Sequence, residues 1–241
     1  MNKSYKDSHK SIDIAKNYDK VVNNKFEHRI YQVENIILKE YLDKYLNKKS
    51  KILDFACWTW RITSFLKKYF DDITWFDISE NMLSVAREKY PDIEFRNVDL
   101  WTDKIDEKFD GIIAFRFFLN AETPLKEYIL ENFKSILNLN WTIIFNIHMN
   151  SRSIAFFLTR MKHMLWLNPL KQNWISYNKM KKIVENHGYK VVESKWYSFF
   201  LWNPLLTRIP YNWLKSIDLF LSKFSFLKYF SKDLIYVIKL R

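Results

Sequence analysis

The stretch Lys51-Ile-Leu-Asp-Phe-Ala-Cys-Trp-Thr-Trp60 decides how this chain is read. Its first six residues form a short apolar run ending in small residues, the pattern of a buried strand. Arg61 to Phe70 then carries helical spacing. In nucleotide-binding sheets the turn between such a strand and helix is rich in glycine. Glycine tolerates φ > 0 and lets a ligand approach the backbone closely. Here Trp58 and Trp60 occupy that turn instead, the largest side chain available.

Outward from this junction, strands and helices alternate. Ile73–Asp77 reads as a second strand, and Ser79 as the N-cap of a helix running to Tyr90. Ile93–Val98 and Gly111–Phe115 read as the third and fourth strands. Thr123 and Pro124 read as N-cap and first residue of a helix reaching about Leu139. Thr142–His148 is a fifth strand and Ser153–Leu165 a helix. Ser176 caps a helix that Gly188 ends as a left-handed residue. Tyr189–Ser194 is a sixth strand, residues 203–232 a helical insertion, and Leu234–Leu240 a closing strand. Upstream, residues 11–47 carry helical spacing through Ile12, Ala15, Val22, Ile30, Val33, Ile37, Tyr41 and Leu42. The alternation predicts an α/β fold, a mostly parallel seven-stranded sheet with helices on both faces. No linker interrupts it, so residues 1–241 read as one domain.

Composition narrows the function. The chain of 241 residues has two glycines, where roughly 17 would match average usage, and ten tryptophans. The single cysteine, Cys57, excludes an intramolecular disulfide framework and a cysteine-based zinc cluster. No HExxH or similar spacing suggests a metal site. The net charge of +12 is spread thinly, with Lys48-Lys49 and Lys181-Lys182 as its densest runs. That dispersion speaks against nucleic acid as a partner. Residues Met1 to Lys20 lack an apolar leader core, and no apolar stretch is long enough to span a membrane, which reads as a cytoplasmic protein.

Asp54 to Trp60 resembles the D-x-G-x-G-x-G motif of class I S-adenosylmethionine (SAM)-dependent methyltransferases, with Ala56, Trp58 and Trp60 at its glycine positions. Thr74-Trp-Phe-Asp-Ile-Ser79 resembles the family's T-G-x-D-x-S, with Trp75 at the glycine. Asn140-Trp141 resembles its Asn-Gly turn. The resemblance covers roughly residues 12–200. It implies a Rossmann-like fold, SAM as cofactor, a SAM-binding core over about 48–150, and acceptor-side and lid elements over about 1–47 and 151–232.

Four tryptophans thus fall on family glycines: Trp58, Trp60, Trp75 and Trp141. One cause accounts for both composition anomalies: a UGA codon read as tryptophan where the organism's code reads glycine. Trp101, Trp166, Trp174, Trp196 and Trp202 fit the same class, whereas Trp213 fits an apolar helical stripe. UGG codons at these positions would refute the idea and leave a genuinely tryptophan-rich protein. As written, Trp58 and Trp60 fill space that the methionine and ribose of SAM would need.

The resemblance assigns roles residue by residue. Asp54, Ala56, Cys57, Trp58 and Trp60 meet the methionine end of SAM. Asp77 takes the ribose hydroxyls, with Ile78 against adenine. Asp99 reaches the adenine amino group beside Leu100, and Phe115 offers its carbonyl to the methionine amino group. On the acceptor side, Arg116, Asn120, Asn146, His148 and Asn150 follow the fourth and fifth strands, where ligands bind in open α/β sheets. Strand alternation puts Asn146, His148 and Asn150 on one face, and His148 is suited to act as a general base near neutral pH. Tyr18 resembles a family residue that caps the cofactor.

The leading function is therefore SAM-dependent methyl transfer to O or N of a small-molecule, glycan or lipid-linked acceptor. A non-catalytic binding protein of the same fold is the alternative that the tryptophans favour. An RNA or protein methyltransferase is a further one, without N-P-P-Y or an added RNA-binding module to support it. Residues 211–230 read as an amphipathic helix, with Trp213, Leu214, Ile217, Phe220, Leu221, Phe224 and Leu227 on one stripe. It would serve as a lid over the acceptor pocket or as a peripheral membrane contact.

Overall fold

The computed structural model describes residues 25–58, 61–148, 150–166, 174–199 and 209–241. Seven strands form one sheet: β1 (Ile52–Phe55), β2 (Ile73–Asp77), β3 (Phe95–Asn97), β4 (Phe109–Ala114), β5 (Leu137–Ile147), β6 (Tyr189–Tyr197) and β7 (Asp233–Leu240). Their order is β3-β2-β1-β4-β5-β7-β6. The first five strands in that order run parallel, and β7 runs antiparallel to both β5 and β6. The order reverses between β1 and β4, so the crevice beyond their carboxyl ends is where an open α/β sheet binds ligands.

Helices cover both faces because the central strands alternate. Ile52, Ile113, Ile144, Ile235 and Val237 point to one side and pack with Ile30, Val33, Ile37 and Tyr41 of α1 (Lys25–Tyr45) and with Phe65 and Leu66 of α2 (Thr63–Leu66). Leu53, Ile112, Ile143, Tyr236 and Ile238 point to the other side. They pack with Leu130 and Phe133 of α5 (Thr123–Ser135) and with Met180 and Val184 of α7 (Tyr177–Asn186). Neighbours in each strand thus serve opposite layers, as a period of two requires. Gly111 sits where a Cβ would come within 2.9 Å of Ile52 Cδ1. Gly188 follows α7 at φ +79, the left-handed stop its position predicts.

Caps and ends follow local chemistry until tertiary pairing intervenes. Ser79 accepts the Met82 amide at the start of α3 (Glu80–Lys89), and Ser176 accepts that of Lys179. Thr123 is not a cap: Glu122 holds that position and Pro124 lies in the first turn, where its missing N–H costs nothing. That helix ends at Ser135 rather than Leu139, because Leu137 pairs with Phe109 and the Phe109 amide donates to the Ile136 carbonyl. The sheet register then shifts, and Asn140 takes φ +62 within the irregularity. The predicted helix over 211–230 is also shorter. α8 (Tyr211–Leu221) stops, and a 3-10 turn over Ser225–Tyr229 follows. Leu214 is buried, but Trp213 is exposed, so the predicted stripe splits between two faces. The remaining helices are α4 (Phe117–Asn120) and α6 (Ile154–Trp166).

Candidate active site

β1 and β2 carry Asp54 and Asp77 to the carboxyl edge of the sheet, and the turn after β1 bends between them. Ala56 and Trp58 both take the left-handed conformation, at φ 56 and 57. A bulky residue is strained there. Two positions where glycine was expected therefore have the backbone that favours glycine. Trp75, within β2, has no such backbone. It is buried against Phe95, and its indole N–H finds no partner among the described residues. Trp141 is buried edge-on to Tyr189. Trp60 and Tyr18 lie outside the described residues.

A mostly apolar cleft opens beside this turn. Asp77, Ile78, Asp99 and Leu100 line it with Phe55, Ala56, Trp58, Met82 and Val98. Asp77 is buried and accepts the Ser79 amide at 2.8 Å and the Trp58 amide at 2.9 Å. Burial pushes its carboxyl up to about 6, against the pull of these bonds. Asp99 accepts the Trp101 amide at 2.9 Å.

A second, smaller cavity shares Ala56 and Trp58 with the first and adds Asp54, Cys57, Arg61, Phe115 and Arg116. Asp54 is buried and accepts the Thr63 hydroxyl at 2.8 Å; burial raises its carboxyl to about 7. Cys57 packs with Trp75, Leu83 and Phe95, and burial drives its thiol well above the usual range. That makes it a packing residue rather than a nucleophile.

Arg61 and its partners are the feature that the sequence reading missed. Its Nη2 donates to Glu34 Oε2 at 2.8 Å, with both side chains nearly enclosed. The guanidinium lies 4.6 Å from the centre of the Tyr31 ring, whose hydroxyl donates to the Arg61 carbonyl. A second guanidinium nitrogen, Nη1, is buried with no hydrogen-bond partner among the described residues. The available signal was Arg61 standing directly after the turn; nothing local pointed to Glu34.

Glu34 is the hub of a buried network. Besides Arg61 it accepts the Tyr197 hydroxyl at 2.7 Å and the Asn146 amide at 2.5 Å. Burial alone would raise its pKa. Arg61, the hydrogen bond with His148 and nearby Arg116 outweigh that and hold it well below the usual carboxylate range. Asn146 in turn accepts the Arg116 amide at 2.7 Å, fixing Arg116 at φ 70. Asn120 donates to the Arg116 carbonyl at 2.9 Å.

His148 lies inside this network. Its Nδ1 is 2.8 Å from Asp233 Oδ1, and its Nε2 is 2.9 Å from Asn146 Nδ2 and 3.5 Å from Glu34 Oε1. It is 3% exposed and lines neither cavity described above. Asn150 departs further from the expected acceptor ring. β5 ends at Ile147, and the Asn150 amide donates to the carbonyls of Lys228, Tyr229 and Ser231. Strand alternation therefore stops applying before Asn150, which clips two segments together. Among the described residues, no group of three or more His, Cys, Asp and Glu is placed to hold a metal, and no helix is long and apolar enough to cross a membrane.

Comparison with known proteins agrees with this geometry. Residues 52–140 match the family described as "Methyltransferase domain". The 235L protein of Invertebrate iridescent virus 6, whose name assigns it as a methyltransferase, is 28% identical over 80 residues. That match spans 32% of this chain and 30% of the viral protein. Magnesium protoporphyrin IX methyltransferase from Synechocystis PCC 6803, with bound SAH, superposes with a TM-score of 0.64 at 14% identity, over 97% of this chain and 96% of that one. A SAM-dependent methyltransferase of Leishmania major gives 0.63 at 13% identity, over 98% and 80%. The strand order and the matched segment, which carries both acids at the carboxyl ends of β1 and β2, make this chain similar to methyltransferases in fold and in that segment.

Proposed function

We propose that the chain binds SAM across the β1–β4 crevice and transfers its methyl group to O or N of a small molecule. The observation that carries this is Asp77, a buried acid in an apolar cleft, beside a turn whose backbone is set for glycine at Ala56 and Trp58. A carboxylate so placed can take both hydroxyls of a ribose. Ile78 and Leu100 offer apolar walls for adenine, with Asp99 in reach of its amino group. The smaller cavity suits an amino acid: Asp54 for the ammonium, Arg61 Nη1 for the carboxylate, and the Phe115 carbonyl as a further acceptor.

Bound SAM would supply a methyl on a sulfonium, an already activated electrophile. The chain's own contribution is binding and alignment. Glu34 holds Arg61, and Asn146 fixes Arg116 at the rim of the smaller cavity, the side from which an acceptor would approach. Both ring nitrogens of His148 face partners, so we assign it to positioning of Asn146 rather than to proton removal. The Synechocystis neighbour is named for a small-molecule acceptor, which supports that class here; glycan and lipid-linked acceptors belong to the same proposal.

Incubation of the chain with methyl-labelled SAM and fractionated metabolite extracts tests the reading. Label in a small-molecule fraction is expected. Binding without transfer to any fraction would favour a non-catalytic binding protein, the reading that the Trp58 indole in the cleft supports.

A further inference from the structure

The elements that spring from the carboxyl edge beyond β5 expose an apolar surface that no part of the methyl-transfer reading uses. α6 follows β5, and α8 and the 3-10 turn lie between β6 and β7. Because β7 is antiparallel to β5, its first residues sit at the carboxyl end of β5, with Leu234 opposite Ile147. The surface is therefore on the same edge of the sheet as the cleft. On α6, Phe157 is 62% and Met164 72% exposed; on α8, Ile217 and Phe220 are exposed, and beyond it Phe226 and Phe230. Asn150 joins the two regions: it accepts a hydrogen bond from Ser153 at the start of α6 and donates to three carbonyls around the 3-10 turn.

Exposed charge on these segments has one sign among the described residues. Residues 150–166 contain no Asp or Glu, and residues 209–232 contain only Asp218, which is fully buried. Arg152, Arg160 and Lys223 are exposed among the apolar side chains. Isolated apolar residues on a surface need no explanation, but a run of large ones rimmed by cations marks an interaction site.

We propose that α6, α8 and the 3-10 turn dock the protein on an anionic lipid bilayer. Aromatic and aliphatic side chains entering the headgroup region, with cations beside them, match the chemistry of an interfacial element. Each Lys or Arg near an anionic leaflet adds to the attraction. A second copy of the chain fits less well. A two-fold interface would bring this surface of both copies together, cations facing cations, with no exposed carboxylate from residues 150–166 or 209–232 between them. Docking orients the cleft edge toward the bilayer, and so favours an amphiphilic acceptor; that last step rests on the methyl-transfer reading, whereas the docking itself does not.

Co-sedimentation of the full chain with phosphatidylglycerol/phosphatidylcholine vesicles at low salt tests the proposal. Binding is expected to vesicles containing phosphatidylglycerol, to fall with added salt, and to be at least tenfold weaker on pure phosphatidylcholine. The triple variant Phe157→Ser, Phe220→Ser, Phe226→Ser should lose at least tenfold in partitioning, as should Arg160→Glu with Lys223→Glu. Circular dichroism and an unchanged melting temperature establish that these exposed substitutions leave the fold intact. Absence of sedimentation with phosphatidylglycerol vesicles, indifference to both variants, or a dimer dispersed by the Phe substitutions would overturn it. SAM titration is read separately, so a failure of docking and a failure of the cofactor assignment are distinguishable.

Discussion

Replacing Glu34 with Gln tests the buried network most sharply, because the change keeps shape and removes charge. Glu34 answers four groups: Arg61 at one oxygen, and Asn146, Tyr197 and His148 around the other. A glutamine has one oxygen and one NH2. If its oxygen serves Asn146 and Tyr197, its NH2 faces the Arg61 guanidinium, donor against donor, and a buried cation loses its counter-charge. Breaking a buried pair by removing one partner costs about 3–5 kcal/mol. The remaining hydrogen bonds place this variant near about 3 kcal/mol, or a fall in Tm of roughly 6–12 °C for a domain of this size. The pH dependence has a definite sign. Glu34 has a depressed pKa when folded, so its stabilisation is present above the ordinary glutamate range and is lost as pH falls below it. Urea denaturation at pH 7 and at about pH 3, well below the unfolded glutamate value, reads both effects: a large gap between the proteins at pH 7 that narrows in acid. A gap under about 0.5 kcal/mol at pH 7, or one that widens in acid, would refute the hub assignment.

Other expectations follow from the same side chains. Asp54 has a raised pKa when folded, about 7, so without ligand it favours the folded state at low pH and penalises it as pH rises from about 4 through about 7. Asp54→Asn should flatten that decline in a series of denaturation curves; an unchanged slope would contradict its burial as the cause. Cys57 should resist iodoacetamide until the protein unfolds, because its thiol is buried and raised; modification of the native state, followed by mass spectrometry, would count against this. His148→Gln should lower kcat by less than tenfold with KM for the acceptor rising more than kcat falls. A loss of a hundredfold or more in kcat would return it to the role of general base.

Much of the architecture was legible because it is set by neighbours in the chain. Ser79 caps a helix, Gly188 stops one, and the apolar run Lys51–Ala56 contains a strand, all from residues a few positions apart. The two acids at strand ends were legible for the same reason. What escaped the reading is set by contacts between distant segments. Glu34 and Arg61 belong to different helical regions, and no local pattern marks either as half of a pair. Asn150 was placed by extending strand alternation past the point where β5 ends, and the carbonyls that claim it lie on the far side of α8 in sequence. The 211–230 stripe continues in the sequence beyond Leu221, but the Trp196 indole captures the Phe224 carbonyl at 3.1 Å and Asn150 captures those around Tyr229. These tertiary bonds, with the return to β7, end the helix where periodicity alone would continue it.

The central claim, that the cleft bounded by Asp77 and the turn at Trp58 is the SAM site, is tested most directly by calorimetric titration of SAM into a matched pair of proteins. Both carry glycine at Trp58, Trp60, Trp75 and Trp141, and one also carries Asp77→Ala. The account predicts a Kd in the micromolar range, about −8 kcal/mol, for the first protein. The loss of a hydrogen bond to a charged group should weaken the second by about 1.5–3 kcal/mol, a factor of roughly ten to over a hundred. Equal affinity in the two proteins, or no binding by the first, would contradict the assignment.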